Sequence, residues 1–154
     1  MDHLKVLNRP SLSSLHFQVS LYYGALFSLI FAIIIGSTSV EKYLYYNKRV
    51  AISVITIWCV IEPARLLFGF MGNLKENAAD LATFLLITLF PQMPFALYFA
   101  YIQPVIFPVD PIVGTFMVLF LIYHFIAGMQ LIRLVIRNQT AQFMRLCEND
   151  EDGE

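Results

Sequence analysis

The chain has 154 residues, of which 58% are hydrophobic and only 14% are charged, and its mean hydropathy is +0.68. Soluble domains average about 25% charged residues, so this composition excludes an ordinary soluble domain and indicates an integral membrane protein. The formal net charge of −1 provides no bulk attraction for nucleic acid, which is therefore not expected as a partner.

Four apolar blocks follow one another, at residues 18–39, 50–71, 79–102 and 112–136. Each can cross a bilayer, for which about 20 helical residues suffice. The first exceeds the roughly 7–15 apolar residues of a cleavable signal peptide, so we interpret it as a retained span. The sequence thus predicts an all-α, four-helix membrane bundle over residues 18–137. A tail at 1–17 precedes it, and an acidic tail at 138–154, expected to be solvated and disordered, follows.

Basic residues outside the spans predict the orientation of the chain in the membrane, and two prolines predict an interruption of the third span. Four spans put both termini on one side, and six basic residues on that side face three on the other, which favours cytosolic termini. The six are Lys5, Arg9, Lys75, Arg133, Arg137 and Arg145, and the three are Lys42, Lys48 and Arg49. The tyrosine-rich loop at residues 40–49 is explained by anchoring at the lipid–water boundary. Pro91 and Pro94 predict a bend or break in the third span.

Small residues recur every four positions along the first span: Gly24, Ser28, Ala32 and Gly36. Small side chains at this spacing let two helix backbones approach closely in lipid, so this stripe is a candidate packing face, within the chain or on a partner. A chance pattern in a helix rich in Gly, Ala and Ser is the alternative.

The second span holds Glu62 and Arg65, the only acid and the only arginine deep inside an apolar block. Three residues apart on a helix, they share a face and can pair, which offsets part of the cost of burying either charge. Three interpretations remain open: a structural ion pair that fixes helix register, the lining of a pocket for lipid or a partner helix, or a proton-coupled site at Glu62.

Other polar residues in the spans have simpler explanations. Gly69 and Gly72, followed by Asn73, suit a helix stop at the end of the second span. His124, in the middle of the fourth span, is expected to hydrogen-bond to a neighbouring helix. Cys59 and Cys147 fall at different depths, so no disulfide is expected.

The sequence offers no candidate catalytic residues, because it lacks paired carboxylates, a G-x-S-x-G turn and a phosphate-binding glycine loop. No cluster has metal-ligand spacing either, so no cofactor or metal is predicted. We therefore expect a protein that is not an enzyme.

The second-span motif E-x-x-R-L-x-x-G-x-x-G-N-L, at residues 62–74, resembles the transmembrane protein 17 / transmembrane protein 216 / transmembrane protein 80 family. Two further segments resemble its transmembrane protein 17 branch: S-S-L-x-x-Q-x-S-L-Y at residues 13–22 and Q-x-P at residues 92–94. The resemblance covers roughly residues 13–137.

This resemblance implies a multi-pass protein in the ciliary membrane at the transition zone. It also implies a non-enzymatic structural role in the membrane-protein module associated with Meckel and Joubert syndromes, which limits entry of membrane proteins into the cilium and supports ciliogenesis and Hedgehog-type signalling. The implied partners are membrane lipid and tectonic/MKS-type transition-zone membrane proteins, in a homo- or hetero-oligomer. The alternative is a small oligomeric transporter or channel with Glu62 as the coupling acid.

Overall fold

The computed structural model describes residues 14–46 and 49–151, and these ranges are almost entirely helical. The helices are α1 (Leu15–Tyr46), α2 (Arg49–Leu74), α3 (Ala78–Ile87), α4 (Met93–Leu97) and α5 (Val109–Glu151). Two π-helical segments, Thr88–Gln92 and Tyr98–Ile102, complete a third span together with α3 and α4. Four segments are therefore long and apolar enough to cross a membrane, which confirms the predicted all-α, four-span fold.

The helices extend beyond the apolar blocks that predicted them. α1 continues to Tyr46 and α2 begins at Arg49, so the loop predicted at residues 40–49 is helical apart from residues 47–48, which lie outside the described residues. The predicted disorder of the acidic tail is wrong for residues 138–151, which continue α5. Extending an existing helix avoids the cost of nucleating a new one. Hydropathy reports only the part of a helix that is buried in lipid, so it did not predict these extensions. Residues 1–13 and 152–154, within the two predicted tails, also lie outside the described ranges.

The third span is interrupted at Phe90, as the prolines predicted. Phe90 has an extended backbone (φ −147°, ψ 112°) inside the segment Thr88–Gln92. Pro91 explains this conformation, because a proline ring disfavours helical geometry in the residue before it and lacks an N–H. The break divides the span into two helical parts, and Gln92 lies just beyond it.

The end of α2 does not use glycine as the sequence predicted. The residue with left-handed backbone is Glu76 (φ 52°), and Asn77 N donates to Gly72 O at 3.0 Å. This bond, running from beyond the helix back into its last turn, closes the helix in the manner of a Schellman motif. No described glycine has positive φ, so the predicted helix-stop role of Gly69 and Gly72 is wrong.

The spans pack as a closed bundle in which α1 contacts α2 and α5, and the third span contacts the same two helices. Two apolar clusters fill the interior. One is centred on Phe31, Trp58 and Phe99, and the other on Phe17, Phe84 and Leu131. Along each span, the positions between these clusters carry buried polar side chains. Leu, Ile and Val side chains dominate the outer faces, as suits contact with lipid.

Candidate functional site

Glu62 and Arg65 form an ion pair in the interior of the bundle. Their side chains are 4% and 0% exposed. Arg65 Nε donates to Glu62 Oε2 at 2.7 Å, and Arg65 Nη2 donates to Glu62 Oε1 at 2.6 Å. Two parallel bonds between a guanidinium and a carboxylate fix the relative orientation of both groups, which a single point contact would not do.

Two other spans complete the hydrogen bonding of the Glu62 carboxylate. Ser28 Oγ, on α1, donates to Oε1 at 2.5 Å, and Gln92 Nε2, in the third span, donates to Oε2 at 2.8 Å. Each oxygen therefore accepts two hydrogen bonds. Turning the Gln92 amide over would place two oxygens together, so the carboxylate also sets the orientation of that amide.

The far side of the Arg65 guanidinium contacts the third and fourth spans. Nη1 lies 3.4 Å from Thr88 Oγ1 and 3.5 Å from His124 Nδ1, and the guanidinium carbon lies 5.3 Å from the centre of the Phe84 ring. Hydrogen bonding and the aromatic face both compensate a buried cation. The side chains of Glu62 and Arg65 thus contact all three other spans.

His124 connects the fourth span to the first, and the predicted hydrogen bond to a neighbouring helix is confirmed. His124 Nε2 lies 3.1 Å from the Ser20 carbonyl oxygen, which can only accept a hydrogen bond. Since arginine can only donate, Nδ1 accepts from Arg65 while Nε2 carries the proton. The ring lies against Gly24, where an added Cβ would overlap it. We call Ser20, Ser28, Glu62, Arg65, Thr88, Gln92 and His124 the Glu62 network.

The structure divides the candidate packing face of α1. Gly24 and Ser28 are buried: Gly24 lies against His124, and Ser28 is itself part of the Glu62 network. Ala32 is partly buried against the cluster of Phe31 and Trp58. A Cβ added to Gly36 would meet nothing within 4 Å. The first half of the stripe therefore packs inside the chain, whereas Gly36 leaves open space.

Gly69 and Gly72 allow the close approach of α2 and α3. A Cβ at Gly69 would lie 2.9 Å from Phe84 Cδ2, and one at Gly72 would lie 2.8 Å from the backbone nitrogen of Leu81. Asn73 ties the end of α2 to the start of α1: its Oδ1 accepts from Ser14 N at 2.9 Å, and its Nδ2 donates to Gln18 Oε1 at 2.7 Å. The motif that the sequence singled out is thus a packing motif.

A second buried ion pair, which the sequence did not predict, joins α1 to the start of α5. Lys42 Nζ lies 2.5 Å from Asp110 Oδ2, and the two side chains are 2% and 0% exposed. Gln103 bridges the pair: its Oε1 accepts from Lys42 at 2.9 Å, and its Nε2 donates to Asp110 at 2.9 Å. Asp110 also accepts from Phe107 N at 2.7 Å. We call Lys42, Gln103, Phe107 and Asp110 the Lys42 cluster.

The predicted role of Lys42 as an anchor at the lipid–water boundary is therefore wrong. Lys42 and Asp110 are 68 residues apart, so no local spacing could pair them. The sequence held one weak signal of this pair, because Thr38 and Lys42 share a helix face one turn apart. In the structure Thr38 also donates to Asp110, at 3.1 Å. A helix prediction carried past residue 39 would have shown that face.

Each of these two polar centres surrounds a buried ion pair with hydrogen bonds from other elements. Among residues 14–46 and 49–151, no three His, Cys, Asp or Glu side chains group as metal ligands. Cys59 and Cys147 are free and exposed. Chemically, the arrangement satisfies buried charge with hydrogen bonds from several spans.

Fold and site together define the class: a small four-span integral membrane protein whose spans are joined by buried polar contacts. Residues 19–121 match the model of the transmembrane-17 family, described as "Predicted membrane protein". This chain belongs to that family. No solved structure is significantly similar to it.

Curated relatives named transmembrane protein 17 resemble most of the chain. The chicken protein is 32% identical over 146 residues, which cover 90% of this chain and 68% of the chicken protein. The human protein is 30% identical over 149 residues, covering 91% and 75% of the two chains. Zebrafish transmembrane protein 17B is 28% identical over 140 residues, covering 88% and 73%.

Proposed function

We propose that this protein is a non-enzymatic structural subunit of a membrane complex, and that the complex is the one at the ciliary transition zone. The observation that carries the structural role is the Glu62 network, in which every span supplies a side chain or carbonyl to one set of buried hydrogen bonds. Such a network gives the bundle one defined outer shape. A subunit that acts through lateral contacts in the bilayer needs a fixed outer surface.

The geometry of Glu62 favours this role over proton coupling. Four donated hydrogen bonds surround the carboxylate, two from Arg65 and one each from Ser28 and Gln92. A protonated carboxyl would turn one of these acceptors into a donor that faces another donor. A carrier of protons needs a group that can exchange its proton, and this one is enclosed by fixed partners.

The ciliary part of the proposal rests on membership of the transmembrane-17 family and on the sequence resemblance described above. On this proposal the protein belongs to the Meckel/Joubert module and supports ciliogenesis, the barrier to membrane-protein entry and Hedgehog-type signalling. Its partners are then other transition-zone membrane proteins of the tectonic/MKS type, contacted through lipid-facing helix surfaces.

The test is to tag the endogenous protein and image it beside a basal-body marker in ciliated cells. A ring just distal to the marker is the expected result, and deletion of the gene should reduce ciliation and Hedgehog-pathway output. A diffuse signal over the plasma membrane would contradict the ciliary assignment.

A second measurement separates the structural role from transport. Purified protein in liposomes should give no proton-linked flux. A flux that disappears in Glu62→Gln, while the variant remains folded, would replace the structural role with a transport function in which Glu62 is the coupling acid.

A further inference from the structure

A polar seam lies on the outside of the bundle, where the start of α1 meets the last part of the fourth span. Phe17 of α1 packs in one apolar cluster with Leu131 and Val135 of α5, which places these two helix segments side by side. Exposed residues with polar groups lie around this contact: His16, Tyr123, Gln130, Arg133 and Arg137. We call these residues the α1–α5 seam. They are separate from the Glu62 network and from the Lys42 cluster.

The seam residues of α5 share one face of that helix. They follow one another at spacings of seven, three and four residues, as neighbours on a helix surface do: Tyr123, Gln130, Arg133 and Arg137. The Cβ atoms of residues four apart on a helix lie about 5–6 Å from each other. The long side chains of Arg133 and Arg137 can therefore both contact one phosphate group, a ligand that guanidinium groups bind through paired hydrogen bonds.

The two arginines have no counter-charge among the side chains that the structure describes. Neither of the ion pairs found there involves the seam. The sequence contains no Asp or Glu at residues 15–40 of α1 or 111–147 of α5. Glu76 lies on the other side of α5, because its carbonyl accepts from Gln139, which points about 200° around the helix from Arg137. The positive charge of the seam is therefore available to an anion from outside the chain.

The contact between His16 and Tyr123 gives a second, independent indication of a ligand. His16 Nε2 lies 3.1 Å from the Tyr123 hydroxyl oxygen, and both side chains are exposed. A neutral imidazole and a phenol carry one polar hydrogen each, and their mutual hydrogen bond uses only one of the two. In either tautomer, one N–H or O–H donor is left without an acceptor among the described groups. Such a donor is costly in hydrocarbon, so it indicates an acceptor supplied by the surroundings.

The seam lies at the depth of lipid headgroups. His16 precedes the first apolar block by two residues, and Arg137 follows the fourth block by one. The ends of such blocks coincide with the boundary between acyl chains and water, where phosphate and ester groups lie. In the predicted orientation this is the cytosolic boundary, where anionic lipids are concentrated.

We propose that the α1–α5 seam binds an anionic phospholipid of the cytosolic leaflet. The lipid phosphate contacts the Arg133 and Arg137 guanidinium groups, and an ester carbonyl accepts the hydrogen that the pair of His16 and Tyr123 leaves free. The acyl chains then run along Ile126, which is exposed on the same face of α5. A soluble anion would meet only the arginines, and a lipid without net charge would leave them uncompensated. Charge, donor and depth together favour an anionic lipid over both.

Native mass spectrometry of the full chain in detergent micelles, titrated with phosphatidylserine or phosphatidylcholine of the same acyl chains, tests the proposal. Phosphatidylserine should bind more tightly. Arg133→Gln and Arg137→Gln should each weaken phosphatidylserine binding by about fivefold, the usual contribution of one basic side chain near an anionic lipid surface. Lys75→Gln and Arg49→Gln, at exposed basic residues outside the seam, are the matched controls and should bind phosphatidylserine like the unmodified chain.

A second variant tests the polar pair and keeps both arginines. Replacing either member of the pair alone leaves one donor, so the double variant His16→Phe/Tyr123→Phe is required. It should weaken binding of both lipids by about threefold, because both carry ester carbonyls and the lost hydrogen bond is uncharged. Tyr101→Phe, which removes an exposed hydroxyl outside the seam, is the control and should have no effect.

Equal affinity for the two lipids would overturn the proposal, as would equal effects of Arg137→Gln and Lys75→Gln. Displacement of phosphatidylserine by inorganic phosphate would show that the seam binds a soluble anion instead. Unchanged lipid binding by the double variant would contradict the ester contact. Circular dichroism verifies that the variants, all at exposed positions, remain folded. Binding in micelles does not depend on membrane orientation or on the ciliary proposal, so the result is independent of both.

Discussion

At the scale of single residues, two buried ion pairs distinguish this bundle from a purely apolar one. Isolated charges in lipid are costly, and pairing removes only part of that cost, so the remaining hydrogen bonds matter. Glu62 obtains them from Ser28 and Gln92, and Asp110 from Gln103 and Phe107 N. Each acid therefore depends on partners from more than one element. Removing one partner leaves the remaining charged or polar groups buried in the low-dielectric interior without that hydrogen bond.

The first prediction concerns Glu62. Glu62→Ala leaves the Arg65 guanidinium buried without its counter-charge, which we expect to destabilise the fold by about 3–5 kcal/mol. The loss should appear as a lower melting temperature in detergent and lower abundance in cells. Glu41→Ala removes an exposed acid of α1 and is the control. Equal abundance, melting temperature and partner co-purification for the two variants would contradict the structural role of Glu62.

The second prediction concerns the pair at the end of the bundle. Lys42→Ala should destabilise the protein by about 3 kcal/mol, because Asp110 remains buried and unpaired. Asp110→Ala should have a similar effect, and the double variant should cost less than the sum of the two. The melting temperatures of the four proteins in detergent give this cycle. Lys75→Ala, at an exposed lysine, is the control, and strict additivity of the two single effects would show that the side chains do not interact.

At the scale of elements, glycine positions determine how closely the helices approach. Gly72 lets the α3 backbone at Leu81 come within a distance that a methyl group would block. Gly24 does the same for the His124 ring, which then reaches the Ser20 carbonyl. A break at Phe90 lets the third span supply Thr88 before it and Gln92 after it to the same network.

The third prediction compares two glycines inside helices. Gly72→Ala should destabilise the bundle by about 1–3 kcal/mol, since a methyl group would meet the Leu81 backbone. Gly36→Ala should be neutral, or stabilising by up to about 1 kcal/mol, because alanine favours the helix and the added carbon meets nothing. Thermal unfolding in detergent measures both. If both variants melt at the same temperature, the close approach at Gly72 does not contribute to stability.

At the scale of the whole molecule, the predicted orientation puts both termini in the cytosol. That orientation rests on the distribution of basic residues along the sequence. Asn138 follows the fourth apolar block, which ends at residue 136, and lies in the polar C-terminal part of α5. Asn138, Gln139 and Thr140 form a glycosylation sequon there, and cytosolic sequons are not modified.

The fourth prediction follows from that orientation. Protein made in mammalian cells should carry no glycan on Asn138, so digestion with an N-glycosidase should leave its gel mobility unchanged. Thr140→Ala, which removes the sequon, should migrate like the unmodified chain. A mobility shift that is abolished by Thr140→Ala would reverse the orientation.

The sequence by itself determined the membrane class, the four spans and the local pairing of Glu62 with Arg65. These follow from the hydropathy of short stretches and from one helical turn of spacing. Gly69, Gly72 and Asn73 were identified as a motif, but a role in packing could not be separated from a role in stopping a helix, because both use small residues near a helix end.

Only the tertiary structure decided which side chains complete the two polar centres. Ser28 and Glu62 are 34 residues apart, and His124 and Ser20 are 104 apart. The physical reason is that hydrogen bonds between spans depend on the rotation and depth of each helix, which packing sets and hydropathy does not report. Lys42 shows this most clearly. A lysine near the end of a span is usually solvated, but Lys42 is buried because a distant acid, Asp110, is packed against it.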